Sequence, residues 1–146
     1  MNDQPESLNG FAAGAPGGSK PGAAGARRKI LIVDDSETVL LVERAFLSRS
    51  YDVVTARNGQ EGVDKAVAER PDLILMDVVM PRLNGFDAVS RLRSHPATKR
   101  IPVIMVTTRG ELDNVESGYR SGCNDYLTKP FHGPELLAKV KGCLGE

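Results

Sequence analysis

Leu73-Ile74-Leu75-Met76-Asp77 is an apolar run of four residues closed by a carboxylate, and reading it as a buried strand decides the fold. Two other runs share its form. Ile30-Leu31-Ile32-Val33 ends in Asp34-Asp35, and Val103-Ile104-Met105-Val106 ends in Thr107-Thr108. A weaker run around Tyr126-Leu127 ends in Lys129-Pro130. Unbroken apolar runs suit parallel strands covered on both faces, whereas half-exposed strands alternate. Side by side, such strands gather three carboxylates, a hydroxyl and an ammonium at one edge of one sheet. That carboxyl edge is where open α/β sheets bind their ligands.

Helical patterns fill the intervals. The spacing predicts strands at about 29–33, 51–55, 72–76, 102–106 and 124–128. The first helix has Ser36 as N-cap, Glu37 at the positive end of the dipole, and an apolar stripe of Val39, Val42 and Phe46 joined by Leu40 and Leu47. Asn58-Gly59 opens a short helix with Val63, Ala66 and Val67, which Pro71 stops. Asn84-Gly85 precedes a third helix with Phe86, Val89 and Leu92. A weaker fourth helix is expected over 111–120, with Leu112, Val115 and Tyr119 on one face. Gly133-Pro134-Glu135 starts the last, whose apolar face is Leu136, Leu137, Val140 and Leu144. Strand–helix alternation with short connections implies right-handed crossovers and a doubly wound α/β sheet. The polar fifth strand suits an edge.

The 146 residues suffice for one domain. Residues 1–26, mostly Gly, Ala and Pro with only Asp3, Glu6 and Lys20 charged, cannot bury enough apolar surface to offset their ordering entropy. They are expected to form a flexible tail before a domain at 27–146. A formal net charge of zero argues against a nucleic-acid surface built on bulk positive charge. Arg27-Arg28-Lys29 reads as the solvated entry to the first strand, not as a twin-arginine signal. No apolar run reaches the 18 or so residues of a membrane span, and the two cysteines, Cys123 and Cys143, suggest no disulfide framework. A cytoplasmic protein is expected.

Like-charged carboxylates crowded at one edge repel unless a cation or shared proton compensates them. Hard oxygen ligands on a shallow edge suit Mg²⁺, which accepts one or two carboxylates and keeps several waters. Such a site leaves room for a phosphoryl oxygen. Asp77 can act as nucleophile and form an acyl phosphate. Mg²⁺ and Lys129 would neutralise the phosphoryl oxygens, and Thr107 would donate its hydroxyl to one of them. Taken singly, a lysine before proline is usually solvated, a threonine ending a strand caps a turn, and an aspartate after a strand caps the next helix. What favours chemistry is the joint placement of all five at the same strand ends.

These stretches resemble the receiver domains of two-component response regulators, the family that includes the single-domain chemotaxis receiver. The likeness covers about 28–145. Val33-Asp34-Asp35-Ser36 resembles the acidic pair, and Asp77-Val78-Val79-Met80-Pro81-Arg82-Leu83-Asn84-Gly85 the phosphoacceptor signature. Pro102 to Thr107 resembles the strand of the switch threonine, and Gly122 to Phe131 the Gly-Ala-x-x-Tyr-x-x-Lys-Pro-Phe segment. The resemblance implies a flavodoxin-like fold with five helices and strand order 2-1-3-4-5. It implies Asp77 as phosphoacceptor and Mg²⁺ on Asp35, Asp77 and the Val79 carbonyl, with Asp34 acting mainly through water. Thr107 and Lys129 would hold the phosphoryl group, Tyr126 would move inward as the aromatic switch, and Lys129-Pro130 would be cis.

Three positions that vary in the family carry information. Val79 is apolar and cannot orient an attacking water. Arg109 is long and cationic, and Thr108 is bulkier than the usual Ala, Ser or Gly; all three are expected to set the phosphate lifetime. Only Gly145-Glu146 follows the receiver-like stretch, so the expected function is a stand-alone receiver rather than an enzyme. It would be phosphorylated by a histidine kinase and switch the surface of the fourth helix, fifth strand and fifth helix for a partner protein, as a monomer or a phosphorylation-dependent dimer. Glu111, Leu112 and Asp113 replace the basic region of the motor-binding receiver, so a flagellar switch partner is not expected. Two alternatives remain at this point: a phosphorylation-independent scaffold, and an Mg²⁺-dependent aspartyl-phosphate phosphohydrolase, which Val79 and the chain length disfavour.

Overall fold

The computed structural model describes residues 27–80, 83–108 and 122–146. The expected tail at 1–26, Pro81 and Arg82 of the phosphoacceptor signature, Arg109, and the helix expected over 111–120 lie outside the described residues. The described chain runs β1(Lys29–Val33), α1(Glu37–Leu47), β2(Asp52–Ala56), α2(Gly59–Glu69), β3(Leu73–Asp77), α3(Gly85–Ser94), β4(Val103–Thr108), β5(Asp125–Lys129) and α4(Gly133–Leu144). The sheet order is β2-β1-β3-β4-β5, and every pairing is parallel. The winding reverses between β1 and β3, so a crevice opens at their carboxyl ends. Asp34, Asp35 and Asp77 stand there.

The two-residue alternation of a strand sorts the apolar runs into two layers. Leu31, Val33, Ile74, Met76, Val103 and Met105 join Ala66 of α2 and Val89 and Leu92 of α3. Ile30, Ile32, Leu73, Leu75, Ile104 and Val106 join Leu40 and Leu47 of α1 and Leu136 and Val140 of α4. Each fully buried Leu or Ile contributes about 1.5–3 kcal/mol of transfer free energy, which is why neither face of the sheet can be left open. Caps fix the helix starts: the Ser36 hydroxyl accepts from Val39 N at 3.3 Å, Asn58 from Glu61 N at 2.8 Å and Asn84 from Asp87 N at 2.9 Å. Pro134 starts α4 without a side-chain cap.

Two expectations need correction. Asp77, Thr107 and Thr108 lie inside their strands rather than after them, because Asp77 pairs in register with Val106, Thr107 with Thr128 and Thr108 with Lys129. A strand flanked on both sides keeps pairing beyond its last apolar residue. The stripe of α1 is also rotated from the expected one. Leu40, Glu43 and Leu47 are buried, whereas Val42 and Phe46 are exposed, as is Leu41 at 69%. Phe46 lies sideways over the start of α4, where a Cβ on Gly133 would come within 2.3 Å of its ring. Phe46 is 40% exposed there, while Glu43 takes a place on the buried stripe.

Candidate functional site

β1 delivers Asp34 to the crevice, and the backbone locks it there. Asp34 N donates to Ala56 O at 3.1 Å, and its Oδ1 accepts from Ser36 N at 2.9 Å. Its Oδ2 accepts from Lys129 Nζ at 3.0 Å, and the same ammonium reaches Asp77 Oδ1 at 3.4 Å. Asp34 is 2% exposed and Asp77 is buried, while Asp35 is exposed. Carboxylate oxygens of all three lie within 4.8 Å of one another. At that separation each like-charged pair costs about 3–4 kcal/mol if the effective dielectric is near 20, and one lysine cannot neutralise three acids. Burial and then the field of Asp34 push the Asp77 carboxyl up to about 6, against the pull of Lys129. Burial works against the charge on Lys129, but the hydrogen bond and field of Asp34, then Asp77, hold its pKa above the ordinary value. A cluster of hard oxygens, open on the Asp35 side and short of positive charge, fits Mg²⁺.

β3, β4 and β5 lie in register, with Asp77 level with Val106 and Leu127, so Thr107 stands one residue and Lys129 two residues further along toward the carboxyl edge. Alternation puts them on different faces. Asp34, Asp77 and Lys129 follow Ile32, Leu75 and Leu127 by two residues and share the α1/α4 face. Thr107 follows Met105 by two and shares the α3 face with Tyr126. Thr107 is buried, and its Oγ1 donates to Thr108 O at 3.2 Å. Tyr126 is buried beside Cys123, whose thiol burial pushes up while a side-chain hydrogen bond with Tyr126 opposes the rise. Lys129-Pro130 is cis. Val79 lies past β3, 60% exposed. Arg93 steadies the approach to β5 by donating to Ile101 O at 2.7 Å, Gly122 O at 2.9 Å and Asn124 Oδ1 at 2.9 Å.

Gly85 starts α3 directly over the acceptor strand. A Cβ there would come within 2.3 Å of Asp77 O and 2.8 Å of the Met105 methyl. The Met105 methyl can swing aside, but Asp77 O is backbone and cannot yield without moving the end of β3. Gly85→Ala is therefore expected to destabilise the fold by about 1–3 kcal/mol, the usual range for overpacking, in a denaturant titration. An unchanged midpoint would contradict that close approach.

Sequence reasoning missed one group. Glu43 is 1% exposed, and its Oε2 has no hydrogen-bond partner. Burial first, then the fields of Asp34 and Asp77, push its carboxyl up to about 8, and Lys129 opposes them. The available signal was helical spacing: Glu43 falls three residues after Leu40 and four before Leu47, on the stripe those two leucines define.

A doubly wound sheet with an acid triad at its switch point, flanked by a strand-end threonine and a lysine before a cis proline, describes a signalling receiver. The chain belongs to the response regulator receiver domain family, which residues 30–141 match. Protein PilH of Pseudomonas aeruginosa is 44% identical over 117 residues, covering 80% of this chain and 97% of that protein. The chain spans about half the length of several transcriptional regulators that it also matches. Among solved structures, chemotaxis protein CheY4 of Vibrio cholerae superposes with a TM-score of 0.77 at 34% identity, covering 82% of this chain and all of that one. The receiver domain of sensor histidine kinase PA1611 from Pseudomonas aeruginosa, described with magnesium coordinated in its active-site cleft, gives 0.76 at 34%, covering 83% of this chain and all of that one. Family membership makes this chain a two-component signalling module rather than an enzyme. Receivers work with histidine kinases and downstream targets and bind Mg²⁺ in this cleft. Among the described residues no helix is long and apolar enough to cross a membrane.

Proposed function

We propose that this chain takes a phosphoryl group from a histidine kinase onto Asp77 and uses the modified state to change its affinity for a partner protein. The observation that carries this reading is the set of three carboxylates within 4.8 Å of one another, with Lys129 on two of them. Asp34, Asp35, Asp77 and the Val79 carbonyl would hold Mg²⁺, which supplies neutralisation of the phosphoryl oxygens. An Asp77 carboxylate oxygen attacks phosphorus, the P–N bond of the phosphohistidine breaks, and the imidazole leaves with its electron pair. Lys129 and the Thr107 hydroxyl then hold phosphoryl oxygens. Thr107 shares its face with Tyr126, so a shift of one repacks the other. The output surface is β5 and α4 with the fourth helix expected from the sequence, which lies outside the described residues, in the cytoplasm. A partner need prefer one conformer by only a few kcal/mol to be switched.

Beryllofluoride, a phosphoryl mimic, tests this reading. With Mg²⁺ it is expected to shift amide resonances at Thr107 and Tyr126, and Asp77→Asn abolishes the effect. Bound Mg²⁺ with no such shifts would favour a constitutive scaffold. Val79 sets the lifetime of the modified state, because an apolar side chain beside the acyl phosphate cannot orient water. Val79→Asn is expected to speed single-turnover loss of phosphate roughly tenfold, a modest share of what a positioned polar group can contribute. A rate equal to wild type or slower would remove Val79 from that role.

A further inference from the structure

Glu43 stands outside the chemistry just described, yet it shares the space behind it. α1 begins two residues after Asp35, and Glu43 sits on its buried stripe between Leu40 and Leu47. That stripe faces the layer containing Val106, Leu127 and Leu136, with Phe131 packed against it. Leu127 and Phe131 flank Lys129 by two residues on either side, and strand alternation sends Lys129 to the same face. Asp34 and Asp77 reach this face by the same rule. No hydrogen bond or ion pair joins Glu43 to any of them, and its Oε2 has no partner at 1% exposure. A buried unpaired acceptor costs about 1–3 kcal/mol, so its persistence asks for a state in which it is used.

Lys129 is the donor that can use it. Its ammonium carries three hydrogens on a flexible stem and occupies Asp34 Oδ2 and Asp77 Oδ1. Those oxygens belong to the group suited to hold a divalent cation. An ammonium and a divalent cation on the same oxygens repel, so one must yield. We infer that Glu43 is a positioning residue: it offers Lys129 a second seat beneath the pocket, freeing Asp34 and Asp77 for the cation. The acid and its anion both present an acceptor oxygen, so the seat does not depend on which form is present. From it Lys129 can return to a phosphoryl oxygen on Asp77.

The inference rests on the cation site proposed above, and one titration separates the two. Mg²⁺ is titrated into wild type, Glu43→Leu and Glu43→Gln, followed by amide NMR and by the ¹⁵Nζ resonance of Lys129. In wild type the Lys129 resonance is expected to move as Mg²⁺ binds. Glu43→Leu, which fills the core but offers no acceptor, should weaken Mg²⁺ binding about tenfold, as loss of an outer-shell partner does. Glu43→Gln, which keeps an acceptor oxygen, should restore most of the affinity. A merely structural role predicts no loss in a well-packed leucine variant. Equal affinities in wild type and Glu43→Leu would overturn the inference and leave the cation site intact. No Mg²⁺ binding by wild type would overturn both.

Discussion

Asp77→Asn is expected to carry no phosphoryl group after incubation with Mg²⁺ and either a kinase or acetyl phosphate. The loss should be on the order of a thousandfold or more, because an amide oxygen is a far weaker nucleophile than a carboxylate. The effect is chemical rather than structural. Asparagine keeps the shape of the side chain, and Lys129 can still bond to its carbonyl oxygen. Removing one of three acids within 4.8 Å also relieves repulsion, so the variant should unfold at the wild-type temperature or above. Intact mass or phosphate-affinity electrophoresis reads the modification, and a thermal melt reads the fold. Phosphate retained near the wild-type level in a folded variant would move the acceptor elsewhere, with Asp35 the first candidate by proximity.

Glu43→Leu is expected to stabilise the apoprotein, most strongly at alkaline pH. In the fold the Glu43 carboxyl is pushed from 4.5 to about 8, by burial first and then by Asp34 and Asp77, with Lys129 opposing. The folded state therefore binds a proton that the unfolded state releases. A raised carboxyl pKa contributes nothing below about 4.5, costs stability as pH climbs toward about 8, and reaches its full cost above that. The cost is about 2–4 kcal/mol after relaxation, and leucine adds apolar burial at the same place. The variant should melt roughly 10 °C above wild type near pH 9 in EDTA, with a smaller gap near pH 5. Parallel stability–pH curves for the two proteins across that range would show that Glu43 does not hold its proton.

The stability gained would come at the expense of cation binding if the second-seat inference holds, so the two measurements bear on each other. An apolar residue in place of Glu43 satisfies the core but removes the acceptor beneath Lys129. Retention of a destabilising carboxyl next to a signalling site fits the general pattern in which functional sites break packing rules that the rest of the fold obeys.

Most of the architecture was legible because the strands here are unbroken apolar runs with polar stops. Leu73 to Met76, repeated in form by two other runs with helical patterns between them, fits a covered parallel sheet, and Asp77 then stands at its carboxyl edge. Ser36, Asn58 and Asn84 marked helix starts correctly because capping is local chemistry, settled within a few residues of chain. The face of α1 was not legible. Val39, Val42 and Phe46 made as good a stripe as Leu40, Glu43 and Leu47, and the choice between them rests on packing against strands and α4 from far along the chain.

By itself the sequence determined the class of fold, the acids, the threonine and the lysine at its carboxyl edge, and the resemblance that named their work. Tertiary structure decided how those charges are shared. Lys129 Nζ lies between Asp34 and Asp77 at 3.0 and 3.4 Å, and the resulting balance of burial and field could not be read from residue types. It also decided that a fourth carboxyl, on Glu43, lies buried behind them. Strand periodicity is a property of neighbours along the chain, whereas the rotation of a helix and the field at a carboxylate depend on atoms that only folding brings together.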